Sequence, residues 1–136
     1  MFRLISASAL VVVCSLAAGC GDDTPLPTPD PPTQINETFQ GTINLLGADM
    51  HLFTTEQTGQ ATATINALTP DSAARVTFMF GTWNGSYCTV TFVTDDATTG
   101  TNFIGNASGP GAFCVRISDI GKLTEPTTYS ITVSHF

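Results

Sequence analysis

The chain has few charged residues and very few bases. Lys and Arg number 4 among 136 residues, against 11 Asp and Glu, which gives a formal net charge of -7. Binding to a phosphate backbone depends on several basic side chains that displace condensed counterions, so the composition argues against a nucleic acid partner. The chain has only 2 His, 1 Trp and 2 Tyr. Groups for acid–base catalysis and for stacking on a ligand are therefore scarce.

No apolar run near the N-terminus is long enough for a transmembrane helix. Arg3 gives a short positive start, and the segment from Leu4 to Ala18 is uncharged and apolar. A helix that spans a bilayer needs about 20 such residues. The run is therefore typical of a cleaved export signal rather than of a permanent membrane anchor.

The export segment ends in small residues before a cysteine. The sequence Leu16-Ala17-Ala18-Gly19-Cys20 resembles the lipobox of bacterial lipoprotein signal peptides. This resemblance implies that residues 1–19 are removed, that Cys20 receives a diacylglyceryl group, and that the new N-terminus is acylated, for example with palmitate. Several acyl chains, at about 0.8 kcal/mol per buried CH₂, anchor a protein stably. Because Gly21 stands where some Gram-negative lipoproteins have an inner-membrane retention aspartate, the resemblance implies an exported protein anchored to the outer membrane.

The segment 20–37, which follows the signal, is rich in proline and acid. Five of the 8 prolines lie between Pro25 and Pro32. Such a composition cannot form a packed core, and proline favours an extended polyproline conformation. We therefore expect a stiff acidic tether that holds a domain of residues 38–136 away from the membrane.

Residues 38–136 alternate apolar and polar side chains with the period of β-strands. Turn signals rich in Gly, Pro, Asn and Asp separate the runs. The predicted strands are 38–44, 51–56, 60–68, 74–80, 87–94, 102–106, 112–118 and 129–134. Without helices to cover a sheet, two sheets must pack on each other. The predicted fold class is therefore all-β, a two-sheet antiparallel β-sandwich of jelly-roll type with about eight strands.

Two cysteines remain once Cys14 is assigned to the signal peptide and Cys20 to the lipid. In an exported protein we expect Cys88 and Cys114 to form a disulfide, and two buried free thiols are the alternative. Cys114 shares a strand face with Arg116 rather than with its apolar neighbours. The bridge is therefore expected at a sheet edge or end, outside the central core.

The C-terminal block carries a second family resemblance. The sequence GAFCVRISDIGKLTEPTTYSITVSHF, with the earlier TFQGTI and HLFTTEQTG, is similar to bacterial pre-peptidase C-terminal domains. The resemblance covers about residues 38–136 and rests on the run from Gly111 to Ile117 and on the closing strand from Tyr129. It implies a small, non-catalytic β-sandwich that aids secretion, contacts a substrate or adheres to a surface.

One predicted loop carries the aromatic side chains that a ligand would contact. Trp83 and Tyr87 flank an Asn84-Gly85 turn. Aromatic residues in the loops of a sandwich stack on sugar rings, so these two residues are the candidate ligand contacts for an envelope polysaccharide or protein. For Trp83 the sequence favours the other interpretation, in which the side chain folds back and caps the end of the sandwich.

Asp95 and Asp96 form the best pair of carboxylates. Hard oxygen ligands on a flexible loop suit calcium, so calcium at this pair is the one cofactor that the sequence suggests. The chain has no Asp-x-Asp-x-Asp loop, and adjacent acids in a turn are more often solvated. The primary expectation is therefore that the protein needs no cofactor.

Neither histidine adjoins a recognisable nucleophile motif. His51 lies in an alternating strand, where we expect an exposed side chain, and His135 is the penultimate residue, where we expect fraying. The sequence therefore predicts a protein that is not an enzyme. We expect a lipid-anchored recognition or adhesion module at the cell envelope, with a passive structural lipoprotein as the alternative.

Overall fold

The computed structural model describes residues 26–136. Residues 26–34 form neither helix nor strand. The regular elements of the described part are eight β-strands: β1 (Ile35–Ile43), β2 (Ala48–Thr55), β3 (Gly59–Thr69), β4 (Val76–Trp83), β5 (Cys88–Ala97), β6 (Asn102–Ala107), β7 (Gly111–Ser118) and β8 (Thr127–His135). The predicted all-β class with eight strands is confirmed.

The strands form two antiparallel sheets of four. Sheet A has the order β1-β8-β3-β6, and sheet B has the order β2-β7-β4-β5. Every connection between consecutive strands crosses from one sheet to the other except the β4–β5 hairpin. Double sheets of eight strands with this connectivity are jelly rolls, so the predicted architecture is also confirmed.

The core lies between the two sheets and follows from the alternation of each strand. Val76, Phe78 and Phe80 point inward from β4, and Ile131 and Val133 point inward from β8. These five side chains are buried, and the polar residues between them on β8 face outward. Burial of a side chain of this size stabilises a fold by about 1.5–3 kcal/mol. The alternating sequence therefore sets both the strands and their inner faces.

The first strand begins earlier than the sequence predicts. β1 starts at Ile35, inside the segment 20–37 that was predicted as tether. It pairs with β8 along its whole length, and Ile35 lies opposite His135. The last proline before β1 is Pro32, so every residue of β1 has an amide that can join the ladder. The segment Pro31–Phe136 forms one compact unit.

The outer face of sheet A is polar and uncharged over most of its area. Thr, Ser, Asn and Gln side chains cover β1 and β8, and several bond to one another across the strands. Thr38 contacts Thr132, and Thr42 contacts Thr128, each with 3.3 Å between the hydroxyl oxygens. Because these polar groups form hydrogen bonds with one another and are exposed to water, this face does not need a partner to cover it.

Candidate functional site

The outer face of sheet B carries two adjacent rows of mainly apolar side chains, and we call these two rows, together with Trp83, the apolar face. Directly opposed residues of an antiparallel pair point to the same side of a sheet. The register therefore puts Met50, Arg116, Met79 and Val93 in one row across the four strands. The neighbouring row is Leu52, Cys114, Gly81 and Val90, and Trp83 lies opposite Cys88 at the end of the sheet.

Side chains of the apolar face are open to solvent to an unusual degree. Leu52 is 45% exposed, Val90 47% and Val93 52%, and Met50 is 38% exposed. These four residues lie on β2 and β5, the two edge strands of sheet B, so apolar surface extends across the whole width of the sheet. Contiguous exposed apolar patches on soluble domains mark interaction sites. The apolar face is therefore the candidate binding surface.

One cation lies within the apolar face. Arg116 is half-buried between Met50 on β2 and Met79 on β4. Among residues 26–136 its guanidinium has neither an ion pair nor a side-chain hydrogen bond. The other two basic side chains of the described part, those of Arg75 and Lys122, both pair with Asp96. Arg116 is therefore the free positive group of this surface.

The Cys88–Cys114 disulfide lies across the apolar face and outside the central core. It links β7 to the edge strand β5, with 6.0 Å between the two Cα atoms, and it passes over β4 at Gly81. A Cβ atom at Gly81 would overlap the backbone carbonyl of Thr89 and would lie 3.3 Å from the Cys88 sulfur. The predicted bridge and its position away from the core are both confirmed, and Gly81 makes the crossing feasible.

The β4–β5 hairpin holds the two predicted ligand-contact aromatics. The Asn84 side chain accepts hydrogen bonds from the backbone amides of Ser86 and Tyr87, at 2.9 and 3.0 Å. Gly85 supplies the positive φ of 96° that this turn requires. Trp83 is half-buried and lies outside the buried core cluster, and Tyr87 is 64% exposed. The geometry thus favours a surface position for Trp83 over the alternative of a cap on the sandwich.

Trp83 belongs to the apolar face rather than to an isolated loop. It is the last residue of β4, and the alternation of that strand directs it to the same side as Gly81 and the disulfide. No protein-family model and no curated protein matches this chain. The binding surface is therefore inferred from the chemistry of its own residues. The resemblance to pre-peptidase C-terminal domains stays a prediction.

Asp95 and Asp96, the predicted calcium pair, have separate partners. Asp95 accepts a hydrogen bond from the Thr77 hydroxyl at 2.9 Å. Asp96 accepts from Lys122 Nζ at 2.7 Å and from Arg75 at 3.1 Å, and these two hydrogen bonds lower the pKa of its carboxyl. Within the part of the chain that the structure describes, no three His, Cys, Asp or Glu side chains are placed to hold a metal ion. Calcium at this pair stays a prediction.

A cleft lies beside this ionic network. It has a volume of about 410 Å³, and Pro70, Arg75, Lys122 and Leu123 are among its lining residues. Asp119 orders one wall because its carboxylate accepts hydrogen bonds from four backbone amides: Leu46, Gly121, Lys122 and Leu123, at 2.7–3.1 Å. Burial raises the pKa of Asp119, but these amides more than offset that effect and hold it below its usual value. The cleft's two cations, Arg75 and Lys122, are both engaged by Asp96, so among residues 26–136 the cleft offers no unpaired cation to a ligand.

His51 is not an exposed strand histidine, and that expectation is wrong. It points into the seam where β1 and β2, the edge strands of the two sheets, meet, and its side chain is 19% exposed. Its ring stacks on Phe39 with 4.7 Å between the centroids, and its Nε2 lies 2.6 Å from the Tyr129 hydroxyl. Tyr129 in turn donates to Asp49 at 2.5 Å. The three polar groups satisfy one another, which allows them to be half-buried.

The Tyr129 phenol at the centre of this cluster is held in its protonated form. Tyr129 is 1% exposed, and burial together with the neighbouring Asp49 carboxylate raises the pKa of its phenol above the usual value. The hydroxyl therefore keeps the proton that it donates to Asp49. Gly41 makes room for it, because a Cβ there would lie 2.5 Å from the Tyr129 oxygen.

His135 does not fray, and that expectation is also wrong. It is 2% exposed at the end of β8, where its Nε2 lies 2.8 Å from Glu37 Oε1 and its ring packs against Phe53. The C-terminal strand is held because β1 and β3 pair with it on both sides. Penultimate position alone therefore does not predict disorder when the strand is central in a sheet.

Several expectations concern residues 1–25, which lie outside the described residues. These are the signal peptide 1–19, the lipidation of Cys20 and the first part of the tether. Residues 26–136 contain no helix with the length and hydrophobicity to cross a membrane.

Proposed function

We propose that this protein is a non-catalytic, lipid-anchored recognition or adhesion module of the bacterial cell envelope, and that it binds through the apolar face. The observation that carries the proposal is the contrast between the two outer faces. Sheet A presents hydroxyl and amide groups that bond to one another, whereas sheet B presents Met50, Leu52, Val90 and Val93 to solvent. Contiguous exposed apolar side chains of this kind mark interaction surfaces on soluble domains.

The composition of the apolar face supports this assignment. The buried centres of protein interfaces are enriched in aromatic residues, Met and Arg and are depleted in Lys and acids. The apolar face has Trp83, two methionines and Arg116. Asp95, at one margin of the face, is occupied by the Thr77 hydroxyl. The Asn84 turn and the disulfide fix Trp83 in place, which lowers the entropy cost of binding.

The tether and the anchor fit the same role. The proline-rich segment between Cys20 and β1 would give the domain reach from the membrane, and lipidation of Cys20 would keep it at the envelope. The alternative, a passive structural lipoprotein, requires no saturable binding by either outer face.

The test is a binding titration with envelope fragments from the producing cell. Labelled protein lacking residues 1–20 is used, so that the lipid cannot bind membranes by itself. We expect saturable binding that Trp83→Ala weakens at least about tenfold, since buried Trp anchors are worth 2 kcal/mol or more. Thr132→Ala, on the outer face of sheet A, is the control and should leave binding unchanged.

Treatment of the fragments separates the classes of partner. Protease digestion abolishes binding to a protein, and periodate oxidation abolishes binding to a polysaccharide. Binding that does not saturate, or that is equally strong with Trp83→Ala, would favour the passive alternative.

A further inference from the structure

We infer that the partner of the apolar face is a protein surface with one carboxylate, from Asp or Glu, encircled by apolar side chains, and that this carboxylate pairs with Arg116. The inference rests on the proposed function, because it names the partner of the same surface. Its basis is the uncompensated charge of Arg116 and the flat apolar surroundings of that charge.

Arg116 is surrounded by apolar side chains and has no anionic partner among residues 26–136. The methionines on both sides and Val93 farther along the row are apolar, so no neighbour in its row can take up the charge. When a partner excludes water from this surface, an unpaired guanidinium would incur a desolvation penalty. A carboxylate removes that penalty, and it matches the planar fork of the guanidinium in two parallel hydrogen bonds.

The shape of the apolar face favours a protein over a small ligand. Small molecules and sugars bind in concave sites that bury most of their surface. The apolar face is the outer side of a four-stranded sheet, and the 410 Å³ cleft is lined by other residues, from Pro70 to Arg75 and from Lys122 to Thr127. A partner that covers all four strands at once must itself present an extended surface, as a protein does. Trp and Arg are the side chains that most often dominate such contacts.

A second copy of the chain and a lipid surface fit this face less well. In a two-fold symmetric contact centred on Arg116, the two arginines would face each other, and like charges repel. A lipid surface would place the guanidinium among acyl chains, away from water, which is unfavourable for a charged side chain. The net charge of -7 also opposes approach to an anionic membrane.

The test is photocrosslinking of the full chain in its own cells. Leu52 is replaced by p-benzoylphenylalanine in one strain, and Ile104 in another. Ile104 is the matched control, because it is 51% exposed but lies on the outer face of sheet A. We expect a protein adduct from position 52 and none from position 104. Mass spectrometry should place the crosslink beside an Asp or Glu of the partner.

Charge variants then test the role of Arg116. Arg116→Glu should lower the yield of the adduct at least about tenfold, as loss of one member of a buried charge pair does. Arg116→Gln removes the charge without reversing it and should also lower the yield. Arg116→Lys keeps the charge but loses the planar fork, so its yield should lie between those of the wild type and Arg116→Gln. Replacing the partner's acidic residue by Lys should restore the adduct with Arg116→Glu. Formation of the disulfide in each variant verifies that the domain has folded.

The outcomes separate this inference from the proposed function. A protein adduct whose yield is the same with Arg116, Arg116→Gln and Arg116→Glu overturns the carboxylate pairing and leaves the recognition role standing. An adduct of twice the mass of the chain, or one with lipid alone, overturns the choice of partner. If position 52 gives no protein adduct, the inference fails; the proposed function then stands or falls with the saturable binding in the envelope titration.

Discussion

Removal of the Cys88–Cys114 bridge is expected to lower the free energy of unfolding by about 3.5 kcal/mol. The bridge closes a loop with a sequence separation of 26 residues. A crosslink of that span reduces the entropy of the unfolded chain by roughly 12 cal/mol/K, which is about 3.5 kcal/mol at 25 °C. Domains of this size have a total stability of about 5–15 kcal/mol. The loss is therefore large enough to lower Tm by about 15 °C.

Urea unfolding of the protein lacking residues 1–20 measures this loss. Three samples are compared: the oxidised protein, the same protein after reduction, and the Cys88→Ala/Cys114→Ala variant. Reduction removes only the crosslink, whereas the double variant also removes a sulfur atom that is fully buried at Cys114. We expect the double variant to be about 1 kcal/mol less stable than the reduced protein, since it leaves a small cavity.

A small effect of reduction on stability would contradict the entropic origin of the stabilisation by the disulfide. If reduction changes the free energy of unfolding by less than about 1 kcal/mol, the crosslink does not constrain the unfolded chain as the loop length requires. A loss seen only in the double variant would assign the effect to packing instead.

Three further variants test other parts of the structure. Tyr129→Phe should lower the free energy of unfolding by about 1–3 kcal/mol, because it leaves the half-buried polar groups of His51 and Asp49 without their partner. Tyr87→Phe, on an exposed side chain, is the control and should change it by less than about 0.5 kcal/mol. Equal effects of the two variants would contradict the hydrogen bonding assigned to Tyr129. In a thermal unfolding scan, Gly81→Ala should destabilise the domain by about 1–3 kcal/mol, because the added Cβ would overlap the Thr89 backbone carbonyl, which cannot move away. Gly111→Ala is the control and should be nearly neutral, because its Cβ would meet the ring of Phe113 at 3.3 Å. Because folding lowers the pKa of Asp119, the stabilisation that its carboxylate contributes is complete above about pH 4 and is lost as the pH falls through the folded pKa. Asp119→Asn should therefore reduce the loss of stability at acid pH. An unchanged pH dependence in this variant would contradict the hydrogen bonds assigned to Asp119.

Local alternation was sufficient to predict the eight strands and the jelly-roll class. Alternating residues such as Tyr129, Ile131 and Val133 each bury one face of a strand, and that preference does not depend on distant parts of the chain. The start of β1 was missed because it depends on pairing with the other end of the chain, Ile35 opposite His135. No local pattern contains that information.

The candidate site was only partly accessible to sequence reasoning. Trp83 was recognised as an aromatic residue near a turn, but its place in a larger surface depends on which strands are neighbours. Met50 and Leu52 carried a usable signal, since they are apolar on the outward side of a strand whose inward side already has Phe53. The cluster of His51 and Tyr129 joins residues 78 positions apart and had no such signal.

The central claim, that this protein binds through the apolar face, is tested most directly by one pair of variants in the envelope-binding titration. Leu52→Asn and Ile104→Asn each remove an apolar side chain of similar exposure, 45% and 51%, from opposite outer faces. Burial of a leucine in an interface contributes about 1.5–3 kcal/mol, so Leu52→Asn should raise Kd by at least about tenfold and Ile104→Asn should leave it unchanged. Equal affinities for the two variants, or a larger loss with Ile104→Asn, would contradict the assignment of the binding surface to sheet B.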